Sequence, residues 1–199
     1  MVYRFSRFLA GIIARAFFHL KAQGIENIPK KGAFILASNH LSYLDPGIVA
    51  VACPRRLNFI AKEDLFTVHP FFSWWLRNVD VIPVKRNAAD ISAFKESMRR
   101  LAAGKALLIF PEGSRQKGGV LGNPEVGVGF LAAKSNAPVI PVFIKGTDNA
   151  LPRDAKKLHF CTVTISFGKQ IPLERRMPYQ DLALEVMNGI RHLSCTGLN

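Results

Sequence analysis

The sequence predicts an α/β fold in which a largely parallel sheet is covered by helices on both faces. Predicted strands and helices alternate along the chain, which is the pattern of parallel-sheet proteins. Several strands are continuously apolar instead of alternating, as expected for strands that are buried on both sides. The 199 residues suffice for one domain, 1–199, with a sizeable core, and they contain no internal repeat or low-complexity linker.

The individual elements follow from apolar periodicity and from the residues that begin and end them. Apolar runs predict strands at 33–37, 57–61, 79–84, 106–110, 139–144 and 161–167. Helical periodicity predicts helices at 3–20, 46–52, 69–77, 90–103, 125–135 and 179–193. Pro46 suits the first position of the second helix, with Asp45 as its N-cap, and Gly104 ends the fourth helix.

The first helix, within residues 1–23, has the pattern of a segment that lies in a membrane interface. Its apolar residues recur at helical spacing and its arginines fall along another face. The apolar residues are Phe5, Phe8, Leu9, Ile12, Ile13, Phe17 and Leu20, and the arginines are Arg4, Arg7 and Arg15. A signal peptide fits less well, because Arg15 interrupts the apolar stretch. The alternative of an ordinary helix packed on its own domain stays open.

The charge balance predicts a polyanionic partner. Lys and Arg total 27 against 14 Asp and Glu, which gives a net charge of +13. Nucleic acid, an anionic membrane face, phosphorylated ligands and acidic carrier proteins all fit this charge. Zinc spacings and an RNA-recognition signature are absent from the sequence, which argues against nucleic acid. Cys53, Cys161 and Cys195 are scattered and odd in number, which favours a reducing compartment.

The segment Ser38-Asn39-His40-Leu41-Ser42-Tyr43-Leu44-Asp45-Pro46 follows the first predicted strand and offers the strongest candidate site. Strand ends of α/β proteins are where reactive groups are placed. A histidine that is hydrogen-bonded to a fixed carboxylate keeps one tautomer, and its other nitrogen can then accept a proton from a hydroxyl. His40 and Asp45 are therefore the candidate base and its partner, although this spacing alone also occurs by chance.

Two further strand ends carry groups suited to phosphate. Phe110-Pro111-Glu112-Gly113-Ser114-Arg115 follows the strand 106–110, and the planar fork of Arg115 matches phosphate geometry. Gly113 permits a tight turn, and Glu112 is expected to orient Arg115 or to bind a substrate hydroxyl. Lys85 and Arg86 follow the strand 79–84 and suit a phosphate clamp, with a solvated basic strand end as the alternative.

An aromatic block, Pro70-Phe71-Phe72-Ser73-Trp74-Trp75-Leu76, has three interpretations. It suits the lining of a tunnel for an apolar ligand chain, insertion into a bilayer, or bulk in the core. We expect a mixture, with some residues in the core and at least one tryptophan at the interface.

Taken together these blocks resemble the lysophospholipid and glycerol-phosphate acyltransferases over residues 31–146. The family's Asn-His-x-x-x-x-Asp block is matched by Asn39, His40 and Asp45, and its Pro-Glu-Gly-Thr/Ser-Arg block by 111–115. Arg86 matches the arginine of the second block, and 140–142 match its Val-Pro-Val-like strand. Asp80 and Lys85 depart from the second block, and 124–127 replace a Phe-Lys-x-Gly segment, which leaves the acyl acceptor in doubt.

The resemblance implies transfer of an acyl group from acyl-CoA or acyl-carrier protein to 1-acylglycerol-3-phosphate, giving phosphatidate. His40 and Asp45 would be catalytic, and Arg86, Glu112, Gly113, Ser114 and Arg115 would bind the substrate phosphate. It implies no metal and no cofactor beyond the thioester co-substrate. With the N-terminal helix, it implies peripheral attachment to an anionic membrane on its cytoplasmic side.

Three alternatives remain at this point. The same chemistry on another lysophospholipid or on glycerol phosphate would need only a different acceptor site. A basic lipid- or nucleic-acid-binding domain without activity would explain the charge but not the His-Asp spacing. A hydrolase fits poorly, because the sequence has no Gly-x-Ser-x-Gly elbow.

Overall fold

The computed structural model describes residues 1–85, 90–116, 119–151, 157–174 and 176–196. The α-helices are α1 (Val2–Phe18), α2 (Asp45–Ala52), α3 (Pro70–Asn78), α4 (Ile91–Ala102), α5 (Val126–Ser135), α6 (Thr147–Ala150) and α7 (Tyr179–Thr196). The strands are β1 (Lys21–Gln23), β2 (Phe34–Ser38), β3 (Leu57–Lys62), β4 (Val81–Val84), β5 (Ala106–Ile109), β6 (Val139–Lys145) and β7 (Thr164–Phe167).

Within these ranges the strands form one sheet in the order β1-β7-β6-β2-β5-β3-β4. Neighbouring strands are parallel except β6 and β7, which run antiparallel. The predicted largely parallel sheet is therefore confirmed. Its centre is β2, which pairs with both β5 and β6 and is buried at every residue.

Alternate residues of β2 point into two separate cores, one on each face of the sheet. Phe34 and Leu36 pack with residues of α1 and α2, whereas Ile35 and Ala37 pack with residues of α4, α5 and α7. A strand with apolar residues at every position needs helices on both sides. This explains why the predicted covering of both faces is correct.

The predicted elements are all present, with differences at their ends. The first helix ends at Phe18, because His19 adopts a left-handed conformation (φ 36°), and the strand predicted at 161–167 begins at Thr164. β1 and the short α6 were not predicted. β1 has no apolar run to reveal it and owes its structure to parallel pairing with β7.

Asp90 begins α4 and also holds the preceding strand end. Its Oδ1 accepts hydrogen bonds from the amides of Ser92 and Ala93 at 3.0 and 3.1 Å, and its Oδ2 accepts one from the amide of Lys85 at 2.8 Å. The hydroxyl of Ser92 and these amides lower the pKa of Asp90 to about 2. The carboxylate thus joins Lys85 at the end of β4 to the start of α4. Residues 86–89, which include Arg86, lie outside the described ranges.

Replacing Asp90 by alanine is expected to lower the free energy of unfolding by about 1 kcal/mol near neutral pH, the usual cost of losing an N-cap. A depressed carboxyl pKa adds stability above the unfolded-state value, and this stability is lost as the pH falls through the folded-state value. The difference between Asp90→Ala and wild type should therefore shrink between about pH 4 and about pH 2. Urea unfolding at several pH values measures it, with exposed Asp64→Ala as the control. If the difference in the free energy of unfolding stays the same over this pH range, Asp90 does not cap α4 as a carboxylate with a lowered pKa.

Candidate active site

The ends of β2 and β5 bring the two strongest sequence motifs together. These strands are parallel neighbours, with Ala37 opposite Ile109, so the loops that follow them leave the same edge of the sheet. The amide of His40 donates to Oε2 of Glu112 at 2.9 Å, and the amide of Gln116 donates to the carbonyl of His40 at 2.8 Å. The two motifs therefore form one site.

Asp45 holds the imidazole of His40 and the loop between them. Nδ1 of His40 lies 2.7 Å from Oδ2 of Asp45, and the same oxygen accepts from the amides of Leu41 and Ser42 at 2.6 and 2.8 Å. The prediction that Asp45 is the N-cap of α2 is wrong. Asp45 is the first residue of the helix after Leu44, and its carboxylate turns back to the preceding loop, where these donors occupy it.

This geometry assigns the tautomer of His40. An ionised carboxylate only accepts hydrogen bonds, so Nδ1 carries a proton and donates it to Asp45. Nε2 is then the unprotonated nitrogen and can act as a base. The imidazole stacks on Phe110 with ring centroids 4.1 Å apart, which fixes the plane of the ring.

Asn39 is a positioning residue for which sequence reasoning assigned no role. Its side chain is buried, and it accepts from the amide of Ile144 at 2.7 Å and donates to the carbonyl of Ile144 at 2.9 Å. This pair of bonds ties the residue before His40 to β6. The signal in the sequence was its place in the family motif, since its partner lies 105 positions away.

Glu112 makes backbone contacts that the sequence did not predict. It is buried, and its two carboxylate oxygens accept from the amides of His40 and Gly122 at 2.9 and 2.8 Å. Burial raises the pKa of this carboxyl, while the two amide donors oppose the rise. Glu112 therefore holds the His40 loop. Among the described residues it forms no ion pair with Arg115, so the expectation that it orients Arg115 is wrong, whereas its contact with the substrate stays a prediction.

Gly113 and Arg115 give the second loop its shape. Gly113 adopts a left-handed conformation (φ 63°), and its amide donates to the carbonyl of Phe110 at 3.0 Å, which closes a tight turn. The guanidinium of Arg115 lies 3.5 Å from the ring centroid of Tyr43. Tyr43 belongs to the His40 loop, so this stacking fixes the Arg115 side chain beside the base.

A cavity of about 410 Å³ opens at this site, on the sheet face covered by α4 and α5. It runs from His40, Ser114 and Arg115 to an apolar interior that includes Ile109 and Leu131. Lys62, at the end of β3, also lines it. Lys62 was missed by sequence reasoning, although a basic residue at the end of an apolar strand is the signal that drew attention to Lys85 and Arg86.

The aromatic block 70–76 lies elsewhere. Among the described residues, none of this block lines the cavity, so the tunnel interpretation of the block is wrong for this cavity. Leu76 is buried, whereas Phe71 and Trp74 are 66% and 49% exposed. The prediction that part of the block lies in the core is confirmed, and Trp74 is at the surface, while its contact with a membrane stays a prediction.

The remaining predicted residues are only partly described. Arg86 lies outside the described residues, so its proximity to the site stays a prediction. Glu125 and Gly127, from the segment that departs from the family pattern, line the cavity. In the described part of the chain, no three His, Cys, Asp or Glu side chains are grouped as a metal site would require.

A histidine–aspartate pair that opens on an apolar cavity, beside an arginine, is suited to activate a hydroxyl of a substrate that has an apolar part. The family model described as Acyltransferase matches residues 19–145, and the chain belongs to this family.

Relatives of known annotation agree with this assignment. The chain is 31% identical over 146 residues to the chloroplastic 1-acyl-sn-glycerol-3-phosphate acyltransferase LPAT1 of Arabidopsis thaliana, a match that covers 72% of this chain and 40% of the relative. It is 33% identical over 150 residues to the 1-acyl-sn-glycerol-3-phosphate acyltransferase of Borreliella burgdorferi, covering 73% of this chain and 56% of the relative. The chain thus spans about half the length of these curated relatives.

A solved structure has the same fold. The crystal structure of the 1-acyl-sn-glycerophosphate acyltransferase PlsC from Thermotoga maritima superposes with a TM-score of 0.79 at 22% identity. The match covers 100% of this chain and 79% of that one.

Proposed function

We propose that this protein transfers a fatty acyl group from a thioester to the free hydroxyl of 1-acylglycerol-3-phosphate, giving phosphatidate. The observation that carries the proposal is the His40–Asp45 pair at 2.7 Å, opening on an apolar cavity beside Arg115. The names of the relatives in Arabidopsis thaliana and Borreliella burgdorferi support this acceptor. Acyl-CoA and acyl-carrier protein are the two candidate donors, and the proposed chemistry needs no metal.

The reaction uses the free nitrogen of His40 twice. Nε2 takes the proton of the acceptor hydroxyl while its oxygen forms a bond with the thioester carbonyl carbon. Asp45 stabilises the imidazolium that forms, as the aspartate does in a Ser-His-Asp triad. When the tetrahedral intermediate collapses, the carbon–sulfur bond breaks and Nε2 returns the proton to the departing sulfur. Because the substrate supplies the nucleophile, no acyl-enzyme is formed.

The oxyanion of the intermediate needs a donor near the thioester carbonyl. The amide of Gly113 is already used by Phe110. The amide of Ser114 makes no hydrogen bond with the described residues, and Ser114 lines the cavity beside His40. We therefore assign the oxyanion to the Ser114 amide.

Arg115 is proposed to hold the acceptor phosphate, with Arg86 as a second contact. The planar guanidinium of Arg115 stacks on Tyr43 and keeps its N–H edge for a phosphate. A lysine at position 115 would bind the phosphate with less geometric specificity.

Removing the ring of Tyr43 is expected to raise the KM for lysophosphatidate by roughly twofold to fivefold, because an exposed cation–π contact contributes about 0.5–1 kcal/mol. Tyr43→Leu should show this effect with little change in kcat, and Tyr43→Phe, which keeps the ring, should behave as wild type. Steady-state kinetics with saturating donor measure both parameters. If Tyr43→Phe is impaired as much as Tyr43→Leu, the hydroxyl matters and the stacking assignment fails.

The apolar interior of the cavity is proposed to hold the transferred acyl chain. Ser97 is fully buried on α4, lines the cavity, and donates its hydroxyl to the carbonyl of Ala93 at 2.8 Å. A larger side chain at this position would occupy space that a long chain needs.

Ser97→Leu is therefore expected to shift donor preference toward shorter chains. Each methylene denied burial costs about 0.8 kcal/mol, so excluding about four of them should lower the kcat/KM ratio of palmitoyl to lauroyl donors by about two hundredfold. Ser97→Ala removes the hydroxyl without filling the cavity and serves as the control. An unchanged ratio in a folded Ser97→Leu protein would place the acyl chain elsewhere.

The outer face of α1 is proposed to attach the enzyme to an anionic membrane, on its cytoplasmic side. The buried residues of α1 face the domain, whereas Phe5, Phe8, Leu9 and Ile12 are exposed on its opposite side. α3 lies beside α1, with Trp75 Nε1 donating to Ser6 Oγ at 2.8 Å, and adds exposed Phe71 and Trp74. Apolar surface of this kind beside basic residues fits an interfacial helix. Within the described ranges, no helix combines the length and apolar character needed to cross a bilayer.

Product identification tests the proposed function. Purified protein is incubated in mixed micelles with labelled lysophosphatidate and either palmitoyl-CoA or palmitoyl-acyl-carrier protein, and the lipids are separated. Phosphatidate formation with either donor supports the proposal. Product formation only from another lysophospholipid or from glycerol phosphate would keep the chemistry and replace the acceptor. No acylated product from any of these acceptors would overturn it.

A further inference from the structure

A second cavity lies between α1 and α2, on the sheet face opposite the catalytic cavity. Its volume is about 280 Å³, and it is lined by Arg4, Arg7, Phe8, Gly11, Arg15 and Val51. None of these residues lines the catalytic cavity, which lies on the α4 and α5 side of the sheet. The proposed reaction therefore leaves this cavity without a role.

Three guanidinium groups line this cavity, and none of them has a carboxylate partner among the described residues. Arg7 is fixed in place, because its Nη2 donates to the carbonyls of Cys53 and Val51 at 2.8 and 3.3 Å. Arg7 thus turns toward the end of α2 while it lines the same cavity as Arg4 and Arg15. The carbonyls occupy one nitrogen of Arg7 and leave the others available.

Gly11 forms the floor of the cavity and keeps it open. A Cβ at this position would lie 3.9 Å from Nη1 of Arg15 and 3.9 Å from Cγ1 of Val51. A methyl group fits at that distance, whereas a longer side chain would extend into the space between the arginines. The cavity therefore depends on the absence of a large side chain at this position.

We infer that this cavity is a binding site for a phosphate group, presented by an anionic phospholipid of the membrane. The planar guanidinium of arginine matches the oxygen geometry of phosphate. Three such groups around one cavity can bind the same phosphate from several sides. Phe8 lines the cavity and is 67% exposed on the apolar face of α1, which places the arginines at the level expected for headgroups. The inference rests on the membrane attachment proposed above, and a soluble phosphate would share the same chemistry.

Two kinds of variant separate a site from a general positive surface. Gly11→Leu fills the cavity without changing any charge, and Gly11→Ala is its matched control. The double variant Arg4→Lys and Arg15→Lys keeps both charges and removes both forks, with Arg191→Lys on α7 as the control on the opposite face of the sheet. Both kinds of variant are expected to lose affinity for anionic vesicles. If thermal melting shows that Gly11→Leu does not fold, the double lysine variant still tests the site.

The readout is sedimentation with vesicles of phosphatidylcholine alone or with phosphatidate or phosphatidylglycerol added. Gly11→Leu and the double lysine variant should lose at least about tenfold in affinity for the anionic vesicles, the equivalent of one charge-assisted hydrogen bond. Their binding to phosphatidylcholine alone and that of both controls should match wild type. Unchanged affinity of both variants for anionic vesicles would overturn the inference. The arginines would then attract the membrane only through the net positive charge of the surface.

Calorimetric titration with inorganic phosphate identifies the source of the phosphate. A heat signal that is present in wild type and absent in Gly11→Leu, with unchanged vesicle binding, would replace the lipid by a soluble phosphate and overturn the lipid assignment. Vesicle effects without such a signal support the lipid. Acyl transfer by Gly11→Leu in detergent micelles should equal that of wild type, so failure of the proposed function and failure of this site give different results.

Discussion

Replacing His40 by alanine is expected to lower kcat by at least about a hundredfold, the lower end of the contribution of a general base. The physical reason is that a lipid hydroxyl is a weak nucleophile at neutral pH and needs a base at the moment of attack. His40 offers one ring nitrogen for this task while Asp45 occupies the other at 2.7 Å. The KM for the acceptor should change little, because Arg115, not His40, is proposed to hold its phosphate.

The measurement is the initial rate of thiol release with saturating lysophosphatidate, alongside a thermal melt. His192→Ala on the exposed side of α7 is the control. The imidazole of His40 stacks on Phe110, so some loss of stability is expected, and the comparison is made below the melting temperature of the variant. A folded His40→Ala protein with more than a tenth of the wild-type rate would contradict the base assignment.

Replacing Asp45 by asparagine should be the second large effect, with a loss in kcat of roughly tenfold to a hundredfold. Oδ2 of Asp45 accepts from two amides and from the imidazole, so the oxygen of an asparagine should keep that position and preserve the tautomer of His40. What is lost is the negative charge that stabilises the imidazolium. Asp45→Ala also loses the orientation of the ring and should be as slow as His40→Ala.

Stability gives a second, independent readout for Asp45. Its Oδ1 is buried and has no hydrogen-bond partner within the described residues. In Asp45→Asn the amide nitrogen would take that place and leave two donors unsatisfied, at a cost of about 1–3 kcal/mol. Denaturant unfolding compares this variant with Asp181→Asn near the start of α7. A variant that loses stability but keeps full activity would show that Asp45 only supports the loop.

The fold was predictable because its strands are buried on both faces. A strand such as β2, with the sequence Phe-Ile-Leu-Ala-Ser and no exposed residue, appears as an apolar run without any knowledge of its neighbours. β1 has the sequence Lys-Ala-Gln and gives no such signal. Its structure comes from pairing with β7, which is some 140 positions away in the chain, and local periodicity carries no information about that pairing.

The candidate site was predictable where its contacts are local. His40 and Asp45 lie in one loop, so their spacing alone suggests the pair. Glu112 was misassigned because its partner, the amide of His40, is 72 positions away, whereas Arg115 is a close neighbour in sequence. Closeness in sequence therefore suggested a Glu112–Arg115 pair, whereas the contact that forms joins the loops after β2 and β5.

Asp80 shows how a departure from a family pattern can keep the same backbone. The family pattern that the sequence resembles has a glycine near this position, and Asp80 adopts the left-handed conformation (φ 63°) that glycine favours. Aspartate tolerates this conformation better than most residues. Its carbonyl accepts from the amide of Phe59 and from Arg100, which hold the turn in place. The departure therefore changes the side chain and not the fold.

The acceptor dependence of thiol release tests the central claim most directly. Protein at substrate concentrations is mixed with palmitoyl-CoA or palmitoyl-acyl-carrier protein by rapid quench, with and without lysophosphatidate. If His40 activates the hydroxyl of the acceptor, release with at least one donor should require lysophosphatidate, with no burst in its absence. A burst of one thiol per enzyme without acceptor would reveal an acyl-enzyme and contradict the account.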